Sequence, residues 1–303
     1  MKTSRRNFIR ATAIGAAASA YGLTSTPTPA AVPPHVEASP GHSPLIDTNV
    51  TLSRWPGRRL PLDETPALVS RLRRHGVTQA WTGTFDALLA KDMASVNTRL
   101  ADECRKHGRG LLLPFGSVNP TLPDWEDDLR RCHEDHRMPG IRLYPNYHRY
   151  PLDHPQFARL LALAAQRRLV VQLVVTLEDE RMQHPLLQVP HVDVSPLSAL
   201  LTNRPGLRLA LLNWGRGVKI DQLTKLARAG QACFDIATVE GVGGVANLLS
   251  QIPFDRVVFG SYAPLFYFES ALLRLKESPL TNSQLAAIRS TNAQHCLHLS
   301  PSA

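Results

Sequence analysis

Eight short apolar runs recur along the chain at fairly even spacing, and that recurrence limits the fold more than any other feature of the sequence. They fall at residues 45–49, 78–82, 111–118, 140–144, 169–174, 207–212, 231–237 and 256–261. Several are continuous and rich in leucine or β-branched residues, which is how parallel strands buried on both faces read. Between them lie stretches of helical spacing, at 68–75, 124–136, 157–167 and 222–229. In the first of these, Leu68, Val69 and Leu72 fall on one helix face. Pro120, Pro139-Gly140, Pro205-Gly206 and Gly230 punctuate the junctions.

Eight strand–helix units predict an α/β protein, a single (β/α)8 TIM barrel spanning 45–300. An open, doubly wound sheet usually has fewer strands, and no glycine-rich phosphate loop follows the first run. The segment upstream is of another kind. Residues 1–31 hold Lys2, Arg5, Arg6 and Arg10 and no acid. Ser4-Arg5-Arg6-Asn7-Phe8-Ile9-Arg10 precedes an apolar stretch over 11–23, the layout of a cleavable signal peptide. The motif resembles a twin-arginine export signal. It implies passage through the twin-arginine translocation machinery to the periplasm or beyond. Ala18-Ser19-Ala20 fits a cleavage site, and the Pro- and Ser-rich residues 32–44 read as a linker.

The formal charge of +9 draws four of its positive residues from that leader. The remaining basic residues are scattered, often with acids nearby and few aromatics between them, so nucleic-acid binding is not expected. No apolar run reaches the roughly 18 residues of a membrane span, so no stable span is expected after processing. Cys104, Cys132, Cys233 and Cys296 form no CxxC motif. Twin-arginine export carries proteins already folded in a reducing compartment, so free buried thiols are expected. The sequence leaves a homo-oligomer open.

In a barrel of this kind, chemistry sits at the C-terminal ends of the strands. There the sequence reads Ile46-Asp47-Thr48-Asn49-Val50-Thr51, Gly140-Ile141-Arg142-Leu143, Asn213-Trp214-Gly215 and Val257-Val258-Phe259-Gly260-Ser261-Tyr262-Ala263-Pro264, with Asn292-Ala293 near the end. In this order the segments resemble the amidohydrolase-related family of (β/α)8 hydrolases and decarboxylases. The resemblance implies a metal site built from His-x-His on the first strand, a His on each of the fifth and sixth, and an Asp on the eighth. This chain departs at all five positions, with Asn49, Thr51, Val174, Asn213 and Tyr262. Zinc requires imidazole, thiolate or carboxylate donors, which these residues do not supply. No metal and no cofactor is therefore expected. His133-x-x-His136 and His295-x-x-His298 lie away from the strand ends and read as surface or capping histidines.

Other polar residues at the strand ends carry the remaining expectations. Arg142 and Tyr144 alternate on the fourth strand and so face one side, with Asn146 just beyond. Arg142 there either grips a substrate carboxylate or pairs with a buried acid. The fifth-strand exit carries Glu178, Asp179, Glu180, Arg181 and His184, candidates for proton transfer and anion binding or else a solvated loop. Asp235 sits inside an apolar run, costly unless paired. It reads as a partner for a base such as Arg142 or as a catalytic acid–base. Asn49, Asn213 and Tyr262 would orient the reacting group. Trp55-Pro56 with Arg58 and Arg59 is a candidate lid after the first strand.

The expected function is an exported hydrolase or lyase acting without metal on a small carboxylated or anionic substrate. Asp235, Glu178, Glu180 and Tyr262 are the candidate catalytic residues. Asn49, Arg142, Tyr144, Asn146, Arg181, His184 and Asn213 are the candidate binding residues. Two alternatives stand beside it: a non-catalytic small-molecule-binding protein, and a metal-dependent hydrolase with unusual ligands.

Overall fold

The computed structural model describes residues 44–298. The signal peptide and all of the linker but its last residue therefore lie outside the described residues. Eight strands form one parallel sheet in sequential order: β1 (Leu45–Leu52), β2 (Val77–Thr84), β3 (Leu112–Gly116), β4 (Gly140–Leu143), β5 (Val170–Val174), β6 (Arg208–Leu212), β7 (Gln231–Asp235) and β8 (Val257–Val258). The helices that follow them are α1 (Thr65–Arg74), α2 (Met93–Glu103), α3 (Trp125–Glu134), α4 (Pro155–Gln166), α5 (Leu197–Thr202), α6 (Ile220–Ala229), α7 (Gly244–Leu249) and α8 (Phe268–Lys276). Two more, α9 (Asn282–Ala286) and α10 (Asn292–His298), end the described chain. This is the (β/α)8 barrel that the eight runs imply.

Local chemistry sets several boundaries. A proline in the first turn starts α1, where its missing N–H costs nothing, and Arg71, Arg73 and Arg74 crowd the last turn against the helix dipole. Asp92 caps α2 by accepting from the Ser95 backbone N–H at 2.9 Å. The eighth run differs from its reading as one strand over 256–261. Only Val257 and Val258 pair with β7. Beyond them the chain crosses to β1: Thr48 N–H donates to Phe259 O, Tyr262 N–H to Asn49 O and Thr51 N–H to Ala263 O, each at 2.9 Å. These bonds close the barrel.

Most of the core lies between strands and helices, where Leu68, Leu72, Leu129, Phe157, Leu161 and Leu223 are wholly or almost wholly buried. Inside the barrel the side chains stack in tiers, because inward positions recur every second residue. Ile46, Trp81, Phe115, Val170, Ala210, Cys233 and Val258 make an apolar lower tier. Phe85, Tyr144, Val174, Leu212, Ala237 and Tyr262 belong to an apolar upper cluster. Between these tiers β4, β5 and β7 contribute Arg142, Gln172 and Asp235, all at most 1% exposed.

Candidate active site

The middle tier is a polar layer sealed between two apolar ones, and Arg142 spans it. Its register partner across β4 and β5 is Gln172, whose Oε1 accepts from Arg142 Nε at 2.7 Å. Arg142 Nη1 donates to Val50 O at 2.8 Å and Thr51 Oγ1 at 3.0 Å. Its Nη2 donates to Trp81 O at 3.0 Å and Thr48 O at 3.5 Å. All five N–H groups of the guanidinium are thus spent on neutral oxygens. Burial pulls its pKa down, while Tyr144, Asp47 and Asp235 act to hold it up. Gly83 makes the space: a Cβ there would lie 2.7 Å from Arg142 Cδ.

Across the tier, Asn49 Nδ2 donates to Asp235 Oδ2 at 2.7 Å and to Asn213 Oδ1 at 2.8 Å. Asn213 N–H donates to Asp235 Oδ1 at 3.0 Å. Asn213 Nδ2 is buried with no hydrogen-bond partner. Asn213 and Tyr262 both hold left-handed backbone, φ 55° and 62°, which an asparagine adopts readily but which strains the bulky Tyr262. Burial raises the Asp235 carboxyl to about 7 against the pull of Asn49 and the Asn213 amide. A second carboxylate lies nearby. Asp47 Oδ1 accepts from Asn49 N–H at 3.0 Å and Ser261 N–H at 2.9 Å, and Oδ2 accepts from Ser261 Oγ at 2.5 Å. Burial lifts Asp47 to about 6.

The loop after β1 covers the mouth. Trp55 is buried edge-on against Phe85, with ring centroids 5.1 Å apart, and against Tyr147 at 6.5 Å. Arg58 from the same loop forms an ion pair with the buried carboxylate of Glu178. Tyr262 OH donates to Leu177 O at 2.7 Å. Burial drives the Tyr262 hydroxyl pKa well up, with Tyr147, Tyr144 and Glu178 adding to it.

The structure brings some of the anticipated residues together and disperses others. Asn49, Asn213 and Asp235 share one hydrogen-bonded cluster. Arg142 and Tyr144 face the barrel interior, and Tyr262 and Glu178 line its roof. Arg142 has every N–H engaged by neutral groups and no direct bond to an acid, while Asp47 and Asp235 act on it only through charge. Asp235 likewise pairs with amides rather than a base. The β5 exit is mostly a solvated loop. Arg181 is 85% exposed and folds back on Asp179, Glu180 meets His191 at 3.3 Å, and the exposed His184 accepts from Leu186 N–H. Asn146 donates to Pro190 O at the loop surface. The sequence reading passed over Asp47 and Gln172. Asp47 carried the same signal as Asp235, an acid inside an apolar run.

These donors do not suit a divalent metal. The positions where the resemblance puts histidines hold amides, a hydroxyl and a valine, and a fixed guanidinium shares the layer with them. Among the described residues, no group of three or more His, Cys, Asp or Glu is placed to hold a metal ion.

A family model described as Amidohydrolase matches residues 46–299. A search of curated proteins finds no match. Among solved structures, 2,6-dihydroxybenzoate decarboxylase from Rhizobium is similar at TM-score 0.64 and 16% identity, covering 85% of this chain and 99% of that one. The 5-carboxyvanillate decarboxylase from Sphingomonas paucimobilis gives 0.67 at 12% identity, with 84% and 99% covered. A dihydroxybenzoic acid decarboxylase from Polaromonas, with bound manganese and 2-nitroresorcinol, gives 0.64 at 14%, with 86% and 98% covered. At such identities the likeness speaks for the fold alone.

Proposed function

The chain belongs to the amidohydrolase family, and on that footing we propose that it is an exported hydrolase or lyase that acts on a small carboxylated molecule without a divalent metal. The observation that carries the reading is Asp235. Its carboxyl is held near 7 inside a dry layer and bonded to the asparagine that stands where the resemblance expects a metal-binding histidine. A group balanced near neutral pH can give and take a proton in the same cycle. Loss of carbon dioxide from a carboxylated ring leaves an electron pair on carbon. Protonated Asp235 would supply the proton for that carbon, and water would restore it. The named activities of the solved neighbours make a carboxylated aromatic the first substrate class to try.

Other groups take supporting parts. Arg58, 47% exposed on the lid and paired with Glu178, is placed to meet an incoming carboxylate. Arg142 contributes its fixed charge, not a free N–H. Because Asp235 has no solvent exposure and lies beneath the apolar upper cluster, both the Trp55 loop and the Tyr262 roof must move aside for substrate to reach it. The test is a panel of carboxylated aromatics and lactones incubated with the protein in excess chelator. Turnover should persist in chelator and fall by about 10²–10⁴-fold in Asp235→Asn. Turnover confined to metal-loaded protein would overturn the reading. Export is tested by the location of the mature protein after Arg5-Arg6 is changed to Lys-Lys.

One observation favours a second reading, a binding protein without turnover: the central groups largely satisfy one another and the mouth is shut. Thermal shifts with the same panel, followed by recovery of the ligand, separate the two. A stabilising ligand returned unchanged supports binding.

A further inference from the structure

The end of the barrel opposite the mouth carries chemistry of its own. Cys233 near the start of β7 and Cys296 on α10 belong to the same lower apolar tier. They are 8% and 4% exposed. Both line a cavity of about 260 Å³, together with Arg208, Arg256, Asn292 and His295. Arg208 Nη1 donates to Cys296 O at 3.0 Å and Leu297 O at 2.6 Å, which fixes the helix over the strand. Their mutual interaction, with Arg256 nearby, draws the Cys233 thiol below its ordinary range, while Cys296 is pushed up. Thiols that act as nucleophiles sit beside positive charge, and the cavity gives this buried pair both arginines and a route from outside. All four cysteines are buried, and what sets this pair apart is the shared cavity with its arginines. Cys104 and Cys132 are buried in the apolar shell, and burial drives the Cys104 thiol up to about 12 and Cys132 up as well.

We propose that Cys233 and Cys296 are an oxidisable pair whose disulfide ties the terminal helix α10 to β7 across the base of the barrel. The oxidant is a low-molecular-weight disulfide that reaches the pair through the basic cavity. The Cys233 thiolate attacks one sulfur and releases the first thiolate, giving a mixed disulfide. Cys296 loses its proton, attacks Cys233 sulfur and displaces the second thiolate. Two protein thiols and one disulfide become one protein disulfide and two small thiols, so atoms and electrons balance. The new bond closes a loop of roughly 60 residues, long enough to restrict the unfolded chain strongly.

The test uses the native full chain incubated with oxidised glutathione, quenched in acid, alkylated under denaturing conditions and mapped by mass spectrometry. Two of the four cysteines should escape alkylation, in a single Cys233–Cys296 cross-linked peptide pair. The midpoint of thermal unfolding should rise by about 5–10 °C, reversibly with dithiothreitol. Cys233→Ser and Cys296→Ser should each abolish the cross-link and the shift, whereas Cys104→Ser and Cys132→Ser should leave both in place. Four alkylated cysteines after native oxidation, a persistent mixed disulfide at one cysteine, or a different pairing would each overturn the proposal.

Discussion

Asp235 and Asp47 show at the level of single residues what burial in a polar layer does. Their carboxyls rise from an ordinary value of 3.8 to about 7 and about 6, because the ionised form loses its water. Between roughly pH 4 and 7 the folded chain then binds more protons than the unfolded one, and these two groups make stability fall as pH rises. Surface acids act in the opposite sense at lower pH. Asp179 is pulled down by Arg181 and Arg216, so its contribution is present above its unfolded value and lost as pH falls through the folded one. The two can be separated by substitution. Asp235→Asn keeps the network if the Asn49 and Asn213 amides turn over together, which also gives the orphaned Asn213 Nδ2 an acceptor. The variant should therefore gain in melting temperature relative to the parent as pH is raised from 4 to 8. A constant offset across that range would contradict the shifted carboxyl. Asp235 was legible in the sequence because an acid inside an apolar run has few explanations. Gln172 was not, since a neutral amide in a strand raises no comparable alarm. The commitment of Arg142 to carbonyls of β1 and β2 was not legible either, because those partners lie 61 to 94 residues away.

Among the elements, the strands were the most legible part, since burial on both faces leaves an apolar run that needs no context to recognise. The end of the eighth run was hidden because the chain there leaves β7 for β1, a choice made by long-range pairing. Close packing between β2 and β4 gives a sharp expectation. A methyl group at Gly83 would lie 2.7 Å from Arg142 Cδ and 2.9 Å from Nε and Nη1, and a side chain held by five hydrogen bonds cannot retreat. Gly83→Ala should cost about 1–3 kcal/mol in denaturant unfolding, whereas Gly206→Ala, with nothing nearby to meet, should change little. The lid gives another. Arg58→Ala leaves the Glu178 carboxylate buried without its cation, so it should destabilise the protein and speed protease cleavage of residues 53–64. Adding Glu178→Gln should recover most of the loss, because the cost lies in the uncompensated charge. If the double variant were as weak as the single one, the pair would not be the latch. Sequence marked this loop as a lid candidate, but not that Trp55 seats between Phe85 and Tyr147, which requires the assembled mouth.

At the scale of the whole molecule, the barrel, with strands in the order β1 to β8, encloses a polar layer in its middle. Apolar tiers above and below isolate a layer of amides, two carboxyls and one guanidinium, and that isolation tunes Asp235 toward neutral pH. We propose that hydrogen bonds from amides and a hydroxyl, not a divalent ion, hold this layer together. The most direct measurement is metal content of the protein purified without chelator, joined to its melting temperature with excess chelator and with added manganese or zinc. The account expects no stoichiometric metal and an unchanged melting temperature in all three conditions. One tightly held equivalent whose removal lowers the melting temperature, and which Asp235→Asn fails to retain, would contradict it.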